Sequence, residues 1–316
     1  MEDFPSRNPF ALLDGPRRAR LSAGLPVFVS FNPVEYHGPH LTARNDGLVA
    51  RRMGEAFFAA LRAREPAWDE LLWAEFDLGA DPVVHEGSVP VSFDDFRRLV
   101  LGVCRELAGM GARRVVVHSF HGAPRHNLAL LAGVDQLREV GVRAFSPMPL
   151  LLAGMIDPPD GLLEPVLATI EDEAVRREVE AYVPYEFHAG FLETSVALHY
   201  VPEAVADDFD RVAPCPRVEP EPARMAAAGL ARRLGRTREA IALAASARAA
   251  SWFGLRPFPG YAGVPAAANA RAGALLAQHI ERGFLDAAGA AFDGRVPDGE
   301  WLVRTAARLS LGGRLS

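Results

Sequence analysis

The chain contains no lysine, because all 34 of its basic residues are arginine. Schiff-base chemistry and a catalytic lysine are therefore excluded. A phosphate-binding P-loop is excluded as well, since its motif requires lysine. The arginines are scattered along a chain of net charge −6, so the sequence predicts no basic surface and no nucleic-acid partner.

Cysteine is almost as scarce, with Cys104 and Cys215 alone. Two cysteines so far apart form neither a disulfide scaffold nor a thiolate metal site. Cys104 lies inside an apolar helical pattern and is predicted to lie in the core. Cys215 lies in a proline-rich segment and is predicted to lie in a loop.

Long apolar runs are also missing. No segment reaches the 18 or so uncharged apolar residues that a membrane span needs, so no membrane partner is predicted. The amino-terminal residues do not show a basic segment followed by an apolar one, which is the pattern of a signal peptide. We therefore expect a cytoplasmic protein.

The sequence alternates between short β-branched runs and longer amphipathic segments. Strands are predicted at residues 24–30, 71–76, 115–117 and 143–147, with helices at 46–62, 92–110 and 125–140 between them. This order predicts an α/β fold with three α/β/α layers around a mostly parallel sheet. Ligands bind at the carboxyl ends of the strands in such folds.

The second half reads as mainly helical, and residues 1–316 are predicted to form a single domain. Helices are predicted at 226–248 and 267–283. The core covers about residues 20–285, and residues 286–316 are expected to be a carboxyl-terminal helix or tail.

Three polar clusters are candidates for chemistry. The first contains Glu35, His37 and His40, followed by Asp46. Glu35 and His37 share one side of an extended segment, and Asp46 stands where the N-cap of the next helix is predicted. Carboxylate and imidazole suit Zn²⁺ or Mn²⁺, although a polar surface turn with a capping aspartate has the same residues.

The second cluster is His118-Ser119-Phe120-His121-Gly122, directly after a predicted strand. His121 is favoured as a ligand over His118 because Gly122 would let the backbone approach an ion. A loop histidine bonded to backbone is the alternative. The third cluster runs from Glu186 to Ser195, where His188 is a candidate acid or base and Glu193 a candidate carboxylate ligand. Glu193 could equally begin a helix.

In this order the clusters resemble the creatininase family of metal-dependent amidohydrolases. That family has an E-x-H-G-x-H-L segment followed by Asp, then an N-G-H-G-G-N turn, then H-A-G-x-x-E-T-S. This chain has Glu35 to Leu41 with Asp46, Ser119 to Pro124, and His188 to Ser195. Weaker similarity at residues 87–92 and 263–265 extends the resemblance over about residues 20–285.

The resemblance implies two divalent ions, Zn²⁺ or Mn²⁺ with Fe²⁺ also suitable, in a protein that forms homo-oligomers. Glu35 would bind one ion together with His121, His37 would bind the other, and Asp46 would bridge them. Creatininase has a glutamate ligand where this chain has Ala123, and Glu193 is expected to take its place. His188 matches the catalytic histidine.

The middle motif departs most from the family. Ser119, Phe120, Ala123 and Pro124 replace Asn, Gly, Gly and Asn, and the bulky Phe120 is expected to reshape the pocket. The tryptophans that creatininase places around its substrate have no evident counterpart near Leu150 or Tyr185. The predicted substrate is therefore a small amide other than creatinine, such as a cyclic amide, a formamide or a short peptide end.

Two other functions use the same residues. A dinuclear site could cleave phosphoesters, for which Arg44 and Arg125 are the only nearby cations in the sequence. A family member that binds metal but has lost catalysis would explain the altered middle motif. The presence of both His188 and Glu193 favours an active amidohydrolase.

Overall fold

The computed structural model describes residues 15–310. Four strands form one sheet: β1 (Val27–Phe31), β2 (Leu72–Phe76), β3 (Arg114–His118) and β4 (Arg143–Phe145). Their order is β2-β1-β3-β4 and all neighbours are parallel. Val29 of β1 pairs with Ala74 on one side and with Val117 on the other. The mostly parallel sheet predicted from the sequence is confirmed.

Twelve helices in the described residues surround or extend this sheet. They are α1 (Gly15–Ala23), α2 (Asn45–Arg64), α3 (Phe93–Gly109), α4 (Pro124–Glu139), α5 (Met148–Ile156), α6 (Leu163–Leu167), α7 (Glu173–Tyr182), α8 (Phe191–Tyr200), α9 (Pro222–Arg233), α10 (Thr237–Phe253), α11 (Ala270–Phe292) and α12 (Trp301–Leu309). No helix of the described part is long and apolar enough to cross a membrane.

Two apolar layers cover the sheet because successive side chains of a strand point to opposite faces. Val27 and Val29 belong to a cluster formed with α3 and α4. Phe28, between them in the sequence, belongs to a second cluster formed with α2, α8 and α11. Burial on both faces explains why β1 and β3 are continuous apolar runs. The result is the three-layer α/β/α architecture expected from the sequence.

The prediction of one continuous helix over residues 226–248 is wrong. The structure has two helices there, α9 and α10, separated by a turn in which Gly235 has φ +71°. Alanine and arginine favour helix on both sides of this turn, so propensity alone did not reveal it. The helix predicted at 267–283 is α11, which extends to Phe292, and α12 lies within the predicted carboxyl-terminal helix or tail.

Both cysteines are free and buried. Cys104 lies in the cluster beneath α3, as predicted, and burial raises the pKa of its thiol to about 12. Cys215 lies in a loop, as predicted, but contacts Trp252 and Ala262 in a small separate cluster.

The contact between α8 and α11 decides where the third sequence cluster lies. A methyl group on Gly273 of α11 would come within 1.9 Å of the carbonyl oxygen of Ser195 in α8. The two helices can therefore approach this closely only because residue 273 has no side chain.

We predict that Gly273→Ala destabilises the protein by about 1–3 kcal/mol, because the added methyl meets backbone that has to move. Gly283→Ala in the same helix is the matched control, since a methyl there meets nothing within 4 Å. Better helix propensity should make this control up to about 1 kcal/mol more stable. Urea unfolding measures both changes, and equal stability of the two variants would contradict the close helix contact.

Candidate metal centre

Three of the candidate residues lie in the segments that follow the carboxyl ends of β1 and β3, and these two strands are neighbours in the sheet. Glu35 and His37 lie in the segment after β1, and His121 lies three residues beyond β3. Because parallel strands end at the same edge, these side chains enter one volume from two directions. All three are buried.

The segment after β1 is held in shape by a short turn. His37 pairs with Leu41 across Gly38, which has φ +70°. Leu41 in turn pairs with Val205, which ties the turn to the segment after α8. Glu35 and His37 lie two residues apart on this extended backbone, so their side chains share one side.

Asp46 lies in the first turn of α2 and not at its N-cap. The helix begins at Asn45, and Arg44 is the N-cap residue without a side-chain cap. The predicted capping role of Asp46 is therefore wrong. Its side chain turns away from the helix amides towards His37 and His121, where it is 2% exposed.

Glu193 lies in the first turn of α8, and both of its carboxylate oxygens are held. Oε2 accepts from the amide of Ala189 at 2.7 Å, and Oε1 accepts from Nδ2 of Asn45 at 2.9 Å. Ala189 has φ +48°, an uncommon conformation for a residue with a side chain. The strained backbone next to His188 is thus stabilised by the carboxylate itself.

Five side chains converge and fall into two overlapping groups. Glu35, Asp46 and His121 form the first, with His121 Nδ1 2.7 Å from Glu35 Oε1 and 3.3 Å from Asp46 Oδ2. His37, Asp46 and Glu193 form the second, with His37 Nε2 3.0 Å from Asp46 Oδ1 and 3.2 Å from Glu193 Oε1. Asp46 is shared and offers one oxygen to each group.

His188 lies at the edge of both groups. Its ring stacks on that of His37 at 4.3 Å, and its Nδ1 is 4.0 Å from Glu35 Oε1. Together with Glu35 and His37 it forms a third set of atoms close enough to hold an ion. Its Nε2 is 2.8 Å from the carbonyl oxygen of Tyr36.

Backbone carbonyls fix which nitrogen of each histidine faces the carboxylates. His37 Nδ1 lies 3.0 Å from the carbonyl of Glu35, and His121 Nε2 lies 3.1 Å from the carbonyl of Ala80. A carbonyl only accepts, so these nitrogens carry hydrogen and donate. The remaining nitrogen of each ring, like Nδ1 of His188, points into the cluster, where an ion that displaces its proton could bind it. Such anchoring is typical of metal-binding histidine.

The electrostatics show what the cluster needs. Burial alone lowers the pKa of His37, but the carboxylates of Asp46 and Glu193 outweigh it and hold that pKa well above its usual value. Burial likewise lowers the pKa of His121, yet Glu35 and Asp46 raise it to about 10. Burial raises the pKa of Asp46, but the two imidazoles hold it well below its usual range. Three carboxylates this close together, two of them fully buried, are therefore stable as anions only beside positive charge.

Divalent ions fit this demand. Glu35 Oε1 and Asp46 Oδ2 are buried and accept no well-formed hydrogen bond, although buried oxygens in proteins normally do. The donors are carboxylate and imidazole without thiolate, a set that suits Zn²⁺, Mn²⁺ or Fe²⁺.

The other histidines near these motifs have different partners. His40 Nε2 lies 3.0 Å from the carbonyl of Ala189, and His118 Nε2 lies 2.8 Å from the carbonyl of Ala50 in α2. Burial lowers the pKa of both histidines to about 4, so both are neutral. His118 therefore does not compete with His121 in this structure. A methyl group on Gly122 would meet Leu152 at 3.2 Å and not the cluster, so its expected role beside an ion is wrong.

Sequence reasoning missed several buried residues around the cluster. Asn45 donates to Glu193, while Asn32 and His126 lie beneath His121. Asn32 was detectable in principle, because a polar residue directly follows β1. Trp252 of α10 was also missed: its ring lies 6.0 Å from that of His188. A tryptophan thus borders the site, but it comes from α10 and not from the segments near Leu150 or Tyr185.

A family model described as Creatininase: Creatinine amidohydrolase matches residues 18–288. No curated protein matches the chain significantly. The chain is similar in structure to a creatinine amidohydrolase (creatininase) with TM-score 0.55 and 20% identity, covering 88% of this chain and 94% of the other.

Two further solved structures share the fold. A Bacteroides fragilis protein provisionally named creatinine amidohydrolase is 17% identical, with TM-score 0.55 and coverage of 85% and 89%. A creatininase described as a Mn form is 20% identical, with TM-score 0.52 and coverage of 86% and 93%. At these identities the solved structures establish the fold, and the family model adds the assignment. The chain belongs to the creatininase family and is a metal-dependent amidohydrolase, a hydrolase of C–N amide bonds.

Proposed function

We propose that the cluster holds two divalent ions, one between Glu35 and His121 and one between His37 and Glu193, with Asp46 shared by both. The observation that carries the proposal is that inward-pointing ring nitrogens, each anchored through the other nitrogen by a backbone carbonyl, converge with the buried carboxylates of Glu35 and Asp46 and the partly buried carboxylate of Glu193. The similar creatininases include a Mn form and a Zn–Zn form, which favours these metals. Ions bound there would supply an activated water and a polarised amide carbonyl.

His188 would move the proton. Its Nε2–H is committed to the carbonyl of Tyr36, so Nδ1 is the nitrogen that can exchange a proton within the cluster. We infer that Nδ1 accepts the proton of the attacking water and delivers it to the leaving nitrogen as the C–N bond breaks. Stacking on His37 and the ring of Trp252 restrict where His188 can move.

The substrate we propose is a small non-peptide or cyclic amide other than creatinine. A creatininase related in fold is known in complex with creatine, which supports a small molecule as the substrate class. The depth of Glu35 and His37, both 0% exposed, favours a compact substrate. Phosphoesters are disfavoured because the two nearby cations are already paired: Arg44 with Asp77 at 2.7 Å and Arg125 with Asp81 at 3.4 Å.

We also infer from the family resemblance that the protein works as a homo-oligomer, and we propose the cytoplasm, as predicted from the sequence pattern, as its location. The exposed side chains of Leu230 and Leu234 at the end of α9 support an assembled state, because each leaves more than half of its surface in solvent. Light scattering of the purified protein measures the assembly directly.

Removing the shared carboxylate should remove both ions. We predict about two ions per chain in the wild type, almost none in Asp46→Ala, and close to half the wild-type content in Glu193→Gln, which loses a ligand of one group only. Elemental analysis after dialysis against Zn²⁺ or Mn²⁺ measures this. His199→Ala is the control, because His199 is exposed on the same helix as Glu193. A full metal content in Asp46→Ala would contradict the proposed centre.

Replacing His188 should separate proton transfer from metal binding. We predict that His188→Gln keeps its ions and its KM, because glutamine can still donate to the Tyr36 carbonyl. Its kcat should fall by about 10²–10⁴-fold, since the amide cannot exchange a proton at neutral pH. Loss of an ion in this variant would instead identify His188 as a ligand, and an unchanged kcat would refute its catalytic role.

The substrate class can be tested with matched panels. We expect measurable turnover among lactams, formamides and N-acyl compounds, and none among phosphomonoesters and phosphodiesters of similar size. Product amine and inorganic phosphate are quantified in parallel, with Asp46→Ala as the background for both. Phosphate release that depends on Asp46 would overturn the amide assignment.

A further inference from the structure

The middle motif has a serine, Ser119, where the family pattern has asparagine. The hydroxyl of this serine has three hydrogen-bond partners. This buried hydroxyl lies 3.0 Å from the amide of His121, 3.2 Å from Asn32 Oδ1 and 3.1 Å from His126 Nε2. Three partners use the full capacity of a hydroxyl, which donates once and accepts twice.

The direction of these bonds follows from the partners. The amide of His121 donates to Ser119 Oγ, and Asn32 Oδ1 accepts from it. The remaining contact must then be a donation from His126 Nε2–H. A separate contact gives the same result, since the amide of Ala80 lies 3.3 Å from His126 Nδ1 and requires that nitrogen to accept. His126 is therefore the neutral tautomer with hydrogen on Nε2.

Asn32 is fixed just as firmly. Its Oδ1 also accepts from the amide of Phe120 at 2.9 Å, and its Nδ2 donates to Ser30 Oγ at 2.9 Å. Asn32, Ser119 and His126 are all buried, so a missing partner would cost the full desolvation of the group left behind.

This network holds His121 through its backbone amide and through its ring. Ser119 holds its backbone amide, and Ala80 holds its ring, because the carbonyl of Ala80 accepts from His121 Nε2 at 3.1 Å. The amide of the same Ala80 donates to His126. His126 is therefore connected to both points, and its own ring is fixed by stacking on Phe96 at 4.6 Å.

We propose that Asn32 and His126 are positioning residues that, through Ser119 and Ala80, aim Nδ1 of His121 at Glu35 and Asp46. The inference rests on the proposed metal centre and assigns a task to two residues outside the ligand set. Neither residue belongs to the groups of side chains that lie close enough together to hold an ion among the described residues.

The test measures Zn²⁺ affinity by competition with a chelator, alongside thermal unfolding. His126→Ala should weaken one of the two ions by about 10–100-fold, as loss of a partner that orients a ligand does. His126→Asn should recover much of that affinity, because its Oδ1 can accept from the amide of Ala80 in place of Nδ1. Asn32→Ala should weaken the same ion.

His118→Ala is the matched control for loss of a buried histidine. His118 is also fully buried and packs against Phe57 and Trp73, but it bonds only to the backbone of α2 among the described residues. It should lower the unfolding temperature and leave both affinities unchanged. Equal Zn²⁺ affinity in His126→Ala and His118→Ala would overturn the positioning role while leaving the metal centre intact. A wild-type chain that binds no ion would overturn both proposals.

Discussion

Three carboxylates that converge on one largely buried volume are the constraint on which the rest of this structure depends. Glu35, Asp46 and Glu193 come from a loop, from α2 and from α8, and separately each would be an ordinary acid. Together they are stable as anions only if positive charge lies between them, because burial strongly penalises an unpaired charge. Protons on His37 and His121 meet this need in part, as their raised pKa values show. Divalent ions would meet it with better geometry, since each displaces a proton from a nitrogen that already points inwards.

The main contribution of the fold to the site is to position and orient the ligand side chains. Parallel strands bring two ligand-bearing segments to one edge of the sheet, and the close approach of α8 to α11 brings a third. Backbone carbonyls then orient the imidazoles: those of Glu35, Ala80 and Tyr36 each accept from a different ring. A backbone acceptor is more rigid than a side-chain acceptor, because it is held by its neighbours along the chain. The ligand nitrogens therefore point into the cluster before any ion binds, which is the preorganisation that a catalytic site requires.

Sequence patterns predicted those features that depend on residues close together in the chain. Alternating strands and helices gave the sheet, and the spacing of Glu35 and His37 placed them on one side of an extended segment. The role of Asp46 was harder to predict, because an aspartate at the start of a helix can either cap the helix or point into a site. The turn at Gly235 was hidden by strong helix formers on both sides. Asn32 and His126 were missed since their importance depends on contacts across 87 and 46 residues of sequence, which no local periodicity encodes.

The altered middle motif still provides what His121 needs. Its ring N–H has an acceptor in the carbonyl of Ala80, its backbone amide has a partner in Ser119, and its Nδ1 points at two carboxylates. Ser119 and His126 together connect Asn32 with Ala80, because the hydroxyl of Ser119 contacts Asn32 and the ring of His126 contacts both Ser119 and Ala80. The hydroxyl of Ser119, the carbonyl oxygen of the Asn32 side chain and both ring nitrogens of His126 each have a partner in this junction, so the loss of one side chain leaves buried groups of the others unpaired. The orientation of His121 therefore depends on hydrogen bonds between residues that lie far apart in the sequence, and a motif read along the chain contains only one of them, Ser119.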